Sequence, residues 1–186
     1  MIRGTDLAPA SNVDDARRLR AILETIREVS ERLPVAFAVH PRTRGRIEQH
    51  QLGSLLDGAS MLCVPPLGYL EMLGLVRSAR LVLTDSGGIQ EETTALGVPC
   101  VTLRDNTERP ITVERGTNTI FGNSPARILA AVEDILRDGG KARRIPEFWD
   151  GRAAERIVAV LREWLHGAAT THRPDFAIRE HSGANP

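Results

Sequence analysis

The chain has little cysteine, no surplus of either charge and no long apolar run, and each shortage excludes a class of function. Cys63 and Cys100 are its only cysteines, too few and too far apart for a zinc motif or a disulfide framework. Both lie in apolar, strand-like runs, which predicts buried thiols of a cytosolic protein. Lys plus Arg and Asp plus Glu number 24 each, with a pI of about 7.0. That balance removes the electrostatic case for bulk binding to nucleic acid or to an acidic membrane. No run is long enough to span a bilayer, and the opening MIRGTDLAPAS lacks a signal-peptide core. The expectation is a soluble cytoplasmic protein with neither nucleic acid nor membrane as a partner. Repeats and interdomain linkers are missing too. The 186 residues suit one core-forming domain over 1–166 and a polar, disordered tail over 167–186.

What is present is an alternation of short apolar runs and amphipathic stretches. From Val13 the pattern is helical, with Asn12 as N-cap, Asp14 and Asp15 in the first turn, and Leu19, Ile22, Leu23, Ile26 and Val29 as the stripe. Val35–Val39 reads as a strand, followed by His40-Pro41-Arg42-Thr43 and a basic helix to about Gln51. Further strands are expected at Met61–Val64, Arg80–Thr84, Cys100–Leu103 and Asn118–Phe121. Helices are expected at Tyr69–Ala79, Gly88–Leu96, from Pro125 with Ser124 as N-cap to Gly139-Gly140, and from Arg152 to His166. In the last of these, Ile157, Val158, Leu161 and Trp164 form the apolar side. Parallel strands need helical crossovers, so the class is α/β with a parallel sheet.

The stretch LVLTDSGGIQEETTALGVP (81–99) carries the most chemical information. A strand ends in Asp85-Ser86-Gly87-Gly88 and runs into a helix. Ligands of open α/β sheets sit beyond the carboxyl ends of strands. Two glycines let a ligand approach the backbone, the helix N-terminus offers free N–H groups, and Ser86 adds a hydroxyl donor. That set suits a pyrophosphate, and a carboxylate at Glu91 or Glu92 suits the vicinal diol of a ribose. The same residues are equally read as a tight turn followed by a solvated helix face. No Lys-Ser/Thr pair follows, which excludes a Walker loop, and the G-x-G-x-x-G spacing of a dinucleotide site is absent.

Three segments together, PVAFAVHPRTRGRI (34–47), LVLTDSGGIQEETTALGVPCVTLRDNTERP (81–110) and DGRAAERIVAVL (150–161), resemble the C-terminal half of non-hydrolysing UDP-N-acetylglucosamine 2-epimerases. Their order and spacing match from about Asn12 to Leu165. The resemblance implies a single Rossmann-like, three-layer domain, corresponding to one half of a GT-B fold with its active site in the interdomain cleft. It implies interconversion of UDP-N-acetylglucosamine and UDP-N-acetylmannosamine by elimination and re-addition of UDP, with no cofactor and no metal. By the same resemblance Ser86, Gly87 and Gly88 would hold the diphosphate, Glu92 the ribose, and Met72 the uracil where the family usually has Phe. Arg109 would face the sugar diphosphate. His40 matches a histidine that helps bind a second, activating UDP-N-acetylglucosamine in bacterial members. Its alternative is a histidine capping a strand end.

Departures from the family are equally specific. The resemblance is to the C-terminal half alone, so the acidic residues proposed to move protons, which the family's N-terminal domain supplies, are not expected within these 186 residues. The family's His-Arg-x-Glu-Asn falls on Ala8-Pro9-Ala10-Ser11-Asn12, so Ala8 stands in the histidine position and no catalytic residue is assigned. Pro9 would weaken the first strand, and Ile111 replaces the glutamate after Glu-Arg-Pro. Two readings follow: an epimerase C-terminal domain, inactive alone and needing an N-terminal partner, or a non-catalytic UDP-sugar-binding module or decayed paralogue. A GT-B glycosyltransferase fits the DSGGIQEE and TERP spacing less well. An uncovered cleft face predicts pairing with a partner chain or as a homodimer.

Overall fold

The computed structural model describes residues 2–6, 10–57, 60–141 and 144–167. The chain divides into two units, Met1–Pro146 and Glu147–Pro186. In the first, the elements in chain order are β1 (Ile2–Asp6), α1 (Ala10–Val13), α2 (Ala16–Ser30), β2 (Val35–Ala38), α3 (Pro41–Gln49) and a 3-10 turn (Gly53–Leu56). They continue with β3 (Met61–Val64), α4 (Tyr69–Arg77), β4 (Val82–Thr84), α5 (Gly87–Leu96), β5 (Cys100–Thr102), α6 (Pro110–Glu114), β6 (Asn118–Ile120) and α7 (Pro125–Asp138).

The six strands form one parallel sheet in the order β3-β2-β1-β4-β5-β6. The winding direction reverses between β1 and β4, which opens a crevice at their carboxyl ends. Alternation along β4 builds three layers, because successive side chains point to opposite faces. Leu81 and Leu83 join a large apolar cluster with Phe37, with Leu19, Ile22, Leu23, Ile26 and Val29 of α2, and with Ile128, Val132 and Ile135 of α7. Val82 turns the other way and meets Val76 of α4, Ile89 of α5 and Val98. Helices α2 and α7 therefore cover one face, and α4 and α5 the other.

Three local expectations are corrected: the first N-cap, the burial of Cys63 and the place of the first strand. Asn12 is not the N-cap of the first long helix; Asp15 is, its carboxylate accepting the N–H groups of Arg17 and Arg18 at 2.8 and 3.0 Å. Asn12 ends up buried because its amide is used elsewhere. Ser124 is the N-cap of α7, as expected, with Pro125 opening the helix, although its side chain makes no cap bond. Cys63 is only partly buried, unlike the fully buried Cys100, because β3 is the sheet edge. Burial pushes the Cys100 thiol up to about 12. The first strand is Ile2–Asp6, central in the sheet, and ends before Pro9. Ala8 and Pro9, like the expected tail beyond Gly167, lie outside the described residues.

In the second unit, α8 (Ala153–Gly167) follows Asp150, whose carboxylate accepts the Arg152 N–H at 3.0 Å and pairs with Arg156. The Arg156 guanidinium, with that N–H, holds the Asp150 carboxyl at about 2. Ile157, Val158, Leu161 and Trp164, the expected apolar side, are exposed along α8.

Candidate functional site

The crevice is floored by buried polar groups. Asn12 donates its amide to the Asp85 carboxylate at 2.8 Å and to the Leu103 carbonyl at 2.9 Å, tying α1 to the ends of β4 and β5. Asp85 is fully buried. The next N–H, of Ser86, is taken by the Thr84 hydroxyl at 3.0 Å. Ser86 is the N-cap of α5, and its side chain makes no cap bond. The helical ladder starts with the Gln90 N–H donating to the Ser86 carbonyl at 3.2 Å. The N–H groups of Gly87, Gly88 and Ile89 therefore fall in the first turn, where the ladder supplies no acceptor and the helix dipole favours an anion.

Two kinds of glycine stand along α5. A Cβ at Gly116 would lie 2.5 Å from the Thr112 carbonyl oxygen and 2.6 Å from Thr94, so packing itself demands glycine there. At Gly87 the nearest atoms would be Cγ and Nε of Arg109 at 3.8 and 3.9 Å, and at Gly88 the Ser86 hydroxyl at 3.9 Å. Those are ordinary contacts. The fold accepts a side chain at either position, and the bare backbone leaves room over the helix N-terminus.

Arg109 reaches this turn from the 107–110 loop, which a buried polar network holds. The Thr107 hydroxyl donates to Gln90 Oε1 at 2.6 Å and accepts the Arg109 N–H at 2.9 Å. Asn118 Nδ2 donates to Gln90 Oε1 at 3.2 Å and to the Thr112 hydroxyl at 3.1 Å. Thr112 donates to the Arg109 carbonyl at 2.7 Å, and Thr102 to Asn118 Oδ1 at 2.7 Å. Thr107 and Thr112 each give one bond and take one, which fixes the amide orientations of Gln90 and Asn118. Gln90, Thr102, Thr112 and Asn118 are fully buried. The Arg109 guanidinium lies over Gly87 and pairs with Glu91 at 3.0 Å, both side chains being roughly half exposed.

Ser86, Gly87, Gly88 and Arg109 thus share one end of α5. Glu92 lies further along that helix, partly buried. Burial, and then the charge of Glu91, push its carboxyl above the usual glutamate range. Met72 on α4 packs beside Val76, Val82, Ile89 and Val98 on the same face of the sheet. His40 stands apart, at the end of β2, which β1 separates from β4. Its Nδ1 accepts the Arg42 N–H at 3.2 Å as the N-cap of α3, so it caps the start of a helix where the sequence offered a strand-end cap. Arg42 and Arg46 of α3 pair with Asp14 at 2.5 and 3.1 Å. Sequence reasoning missed Asn12, Gln90 and Asn118. A polar residue opening the short strand β6 was the available signal for Asn118. Among the described residues no group of three or more His, Cys, Asp or Glu is placed to hold a metal, and no helix is long and apolar enough to cross a membrane.

Comparison with known proteins converges on one family. The family model described as UDP-N-acetylglucosamine 2-epimerase matches residues 7–162. The UDP-N-acetylglucosamine 2-epimerase of Methanocaldococcus jannaschii is 44% identical over 155 residues, covering 82% of this chain and 42% of the relative. The UDP-2,3-diacetamido-2,3-dideoxy-D-glucuronate 2-epimerase of Pseudomonas aeruginosa is 39% identical over 157 residues, with coverages of 82% and 42%. Among solved structures, the M. jannaschii UDP-GlcNAc 2-epimerase in complex with UDP-GlcNAc and UDP superposes with a TM-score of 0.76 at 41% identity, over 87% of this chain and 45% of that one. The chain therefore spans less than half the length of these relatives.

Proposed function

This chain belongs to the UDP-N-acetylglucosamine 2-epimerase family, and from that premise we propose that it forms the nucleotide-binding half of such an active site. The observation that carries the reading is the Arg109 side chain laid across Gly87 at the open first turn of α5. The diphosphate of UDP or UDP-N-acetylglucosamine sits on the Gly87 and Gly88 N–H groups, with the Ser86 hydroxyl and Arg109 completing its contacts. Glu92, as a carboxylate, accepts from the ribose hydroxyls, and Met72 packs against the uracil.

In the epimerase reaction these groups bear on the departure of UDP. Charge builds on the leaving diphosphate, and a fixed cation with helix N–H groups stabilises it more than the bound ground state. In this reading the acid–base residues come from an N-terminal half outside these 186 residues, and a partner chain is one way of supplying it. Support for a partner comes from the exposed Ile157, Val158, Leu161 and Trp164 on α8. A homodimer is the other arrangement the reading allows, and light scattering separates it from a monomer. A cytoplasmic setting belongs to the same proposal, in keeping with the free thiols Cys63 and Cys100.

A second reading, a UDP-sugar binder without catalysis, is favoured by Ala8, which stands where the resemblance puts a histidine and cannot donate a proton. Calorimetry with UDP tests the shared premise: binding at or below millimolar ligand is expected, and no heat at that concentration overturns it. Exchange of the sugar C2 proton, followed by NMR after adding candidate N-terminal partners, then separates the two readings.

A further inference from the structure

We propose that Glu91 is a counter-ion of Arg109 that a bound diphosphate must displace. The inference rests on the UDP-binding reading above and names a group that sets its affinity. Adjacent residues of α5 act on the same arginine in opposite environments. Gln90, buried, fixes the backbone of the 107–109 loop through the Thr107 hydroxyl, which accepts the Arg109 N–H. Glu91, half exposed, takes the guanidinium Nε at 3.0 Å. The backbone of Arg109 is held by buried bonds, whereas its charge is held by a pair that solvent reaches.

A guanidinium presents five donors, and its Nε edge is one of those used for two-pronged contact with a carboxylate or a phosphate. Its Nε–H cannot serve Glu91 and an incoming phosphate oxygen in full at once. The Arg109 stem already lies beside Gly87, so little movement separates the carboxylate from the space over the α5 N-terminus. Half-exposed ion pairs are weak. The pair therefore keeps the arginine ordered without locking it, and the anion wins the exchange because the helix N-terminus favours it as well. The two charges of Glu91 and the diphosphate also repel directly, so the ion-pair effect must be separated from plain repulsion.

A double-mutant cycle does this, with UDP and inorganic pyrophosphate as probes in calorimetry at low and high salt. Glu91→Gln is expected to tighten UDP about two- to fivefold at low salt, the range for an exposed ion pair, with a similar gain for pyrophosphate. In an Arg109→Ala background the same substitution is expected to gain clearly less. The NMR signal of Arg109 Nε–H gives a second readout. Solvent exchange at that proton is expected to quicken in Glu91→Gln without ligand and to slow again when UDP binds. Unchanged or weaker UDP binding by Glu91→Gln overturns the proposal. So does an equal gain with and without Arg109, which would mean repulsion alone. If the Arg109→Ala background binds too weakly to measure, an unaltered Nε–H exchange rate in Glu91→Gln overturns it instead. Failure of the underlying reading looks different: the unsubstituted chain then binds neither probe, or binds UDP equally well without Arg109.

Discussion

The layer between α2, α7 and the sheet and the rim beyond β4, β5 and β6 are built from opposite materials. The layer is aliphatic, with Leu19, Leu23, Phe37, Leu83 and Val132 fully buried and no bond direction to satisfy. The rim is equally buried, but its side chains are Thr102, Gln90, Thr112 and Asn118 in a chain of directed hydrogen bonds. Apolar packing tolerates many arrangements of similar volume. A directed network accepts few, and every broken link leaves a buried group unpaired. The difference teaches where the fold needs only bulk and where it needs one loop in one place. That loop carries Arg109.

If the comparison is right, damage to the two regions separates stability from binding. The largest loss of stability is expected in the layer. Phe37→Ala should cost about 3–5 kcal/mol, by loss of apolar burial plus a cavity. Chemical denaturation measures it, and the UDP affinity of the fraction still folded should be unchanged. A clear loss of affinity there would break the separation.

In the rim, Gln90→Met keeps the volume but removes the acceptor shared by Thr107 and Asn118. The expected cost is about 1–3 kcal/mol of stability, together with a several-fold weaker UDP affinity below the unfolding range, read by calorimetry. Loss of stability with undiminished affinity would mean that the network supports the fold alone.

The smallest effect is a titration. Burial and the neighbouring Glu91 raise the Glu92 carboxyl above its ordinary value of 4.5. The ribose contact needs the carboxylate, so UDP affinity should begin to fall at a higher pH than an ordinary glutamate would give, and fall further as pH drops. In Glu92→Gln that component of the pH profile should vanish, with weaker binding at neutral pH. A profile identical in the two proteins would remove Glu92 from the ribose site.

Much of the fold was legible because the crossover helices carry strong apolar stripes. Leu19, Ile22, Leu23, Ile26 and Val29 on α2, and Ile128, Val132 and Ile135 on α7, are buried as their spacing requires. β1 was not legible. Its residues, Ile-Arg-Gly-Thr-Asp, form no apolar run, and its central place is set by pairing with β2 and β4. The DSGG segment was legible as a strand-to-helix junction, because its glycines and serine follow an apolar run and precede a helical pattern. Gln90 and Asn118 were not, since a lone amide gains its meaning from partners distant in sequence: Asn118 lies 28 residues from Gln90. The N-cap of α2 was misassigned by three residues, to Asn12 in place of Asp15, for a similar reason: the Asn12 amide donates to Asp85, 73 residues away.

The most direct test of a UDP site at the α5 N-terminus is a titration of the 15N-labelled chain with UDP, followed by amide chemical shifts. The account predicts saturable shifts largest at Ser86, Gly87, Gly88 and Arg109, with amides of β2 and α2 unmoved. Shifts confined to other elements, or none at saturating UDP, would contradict it.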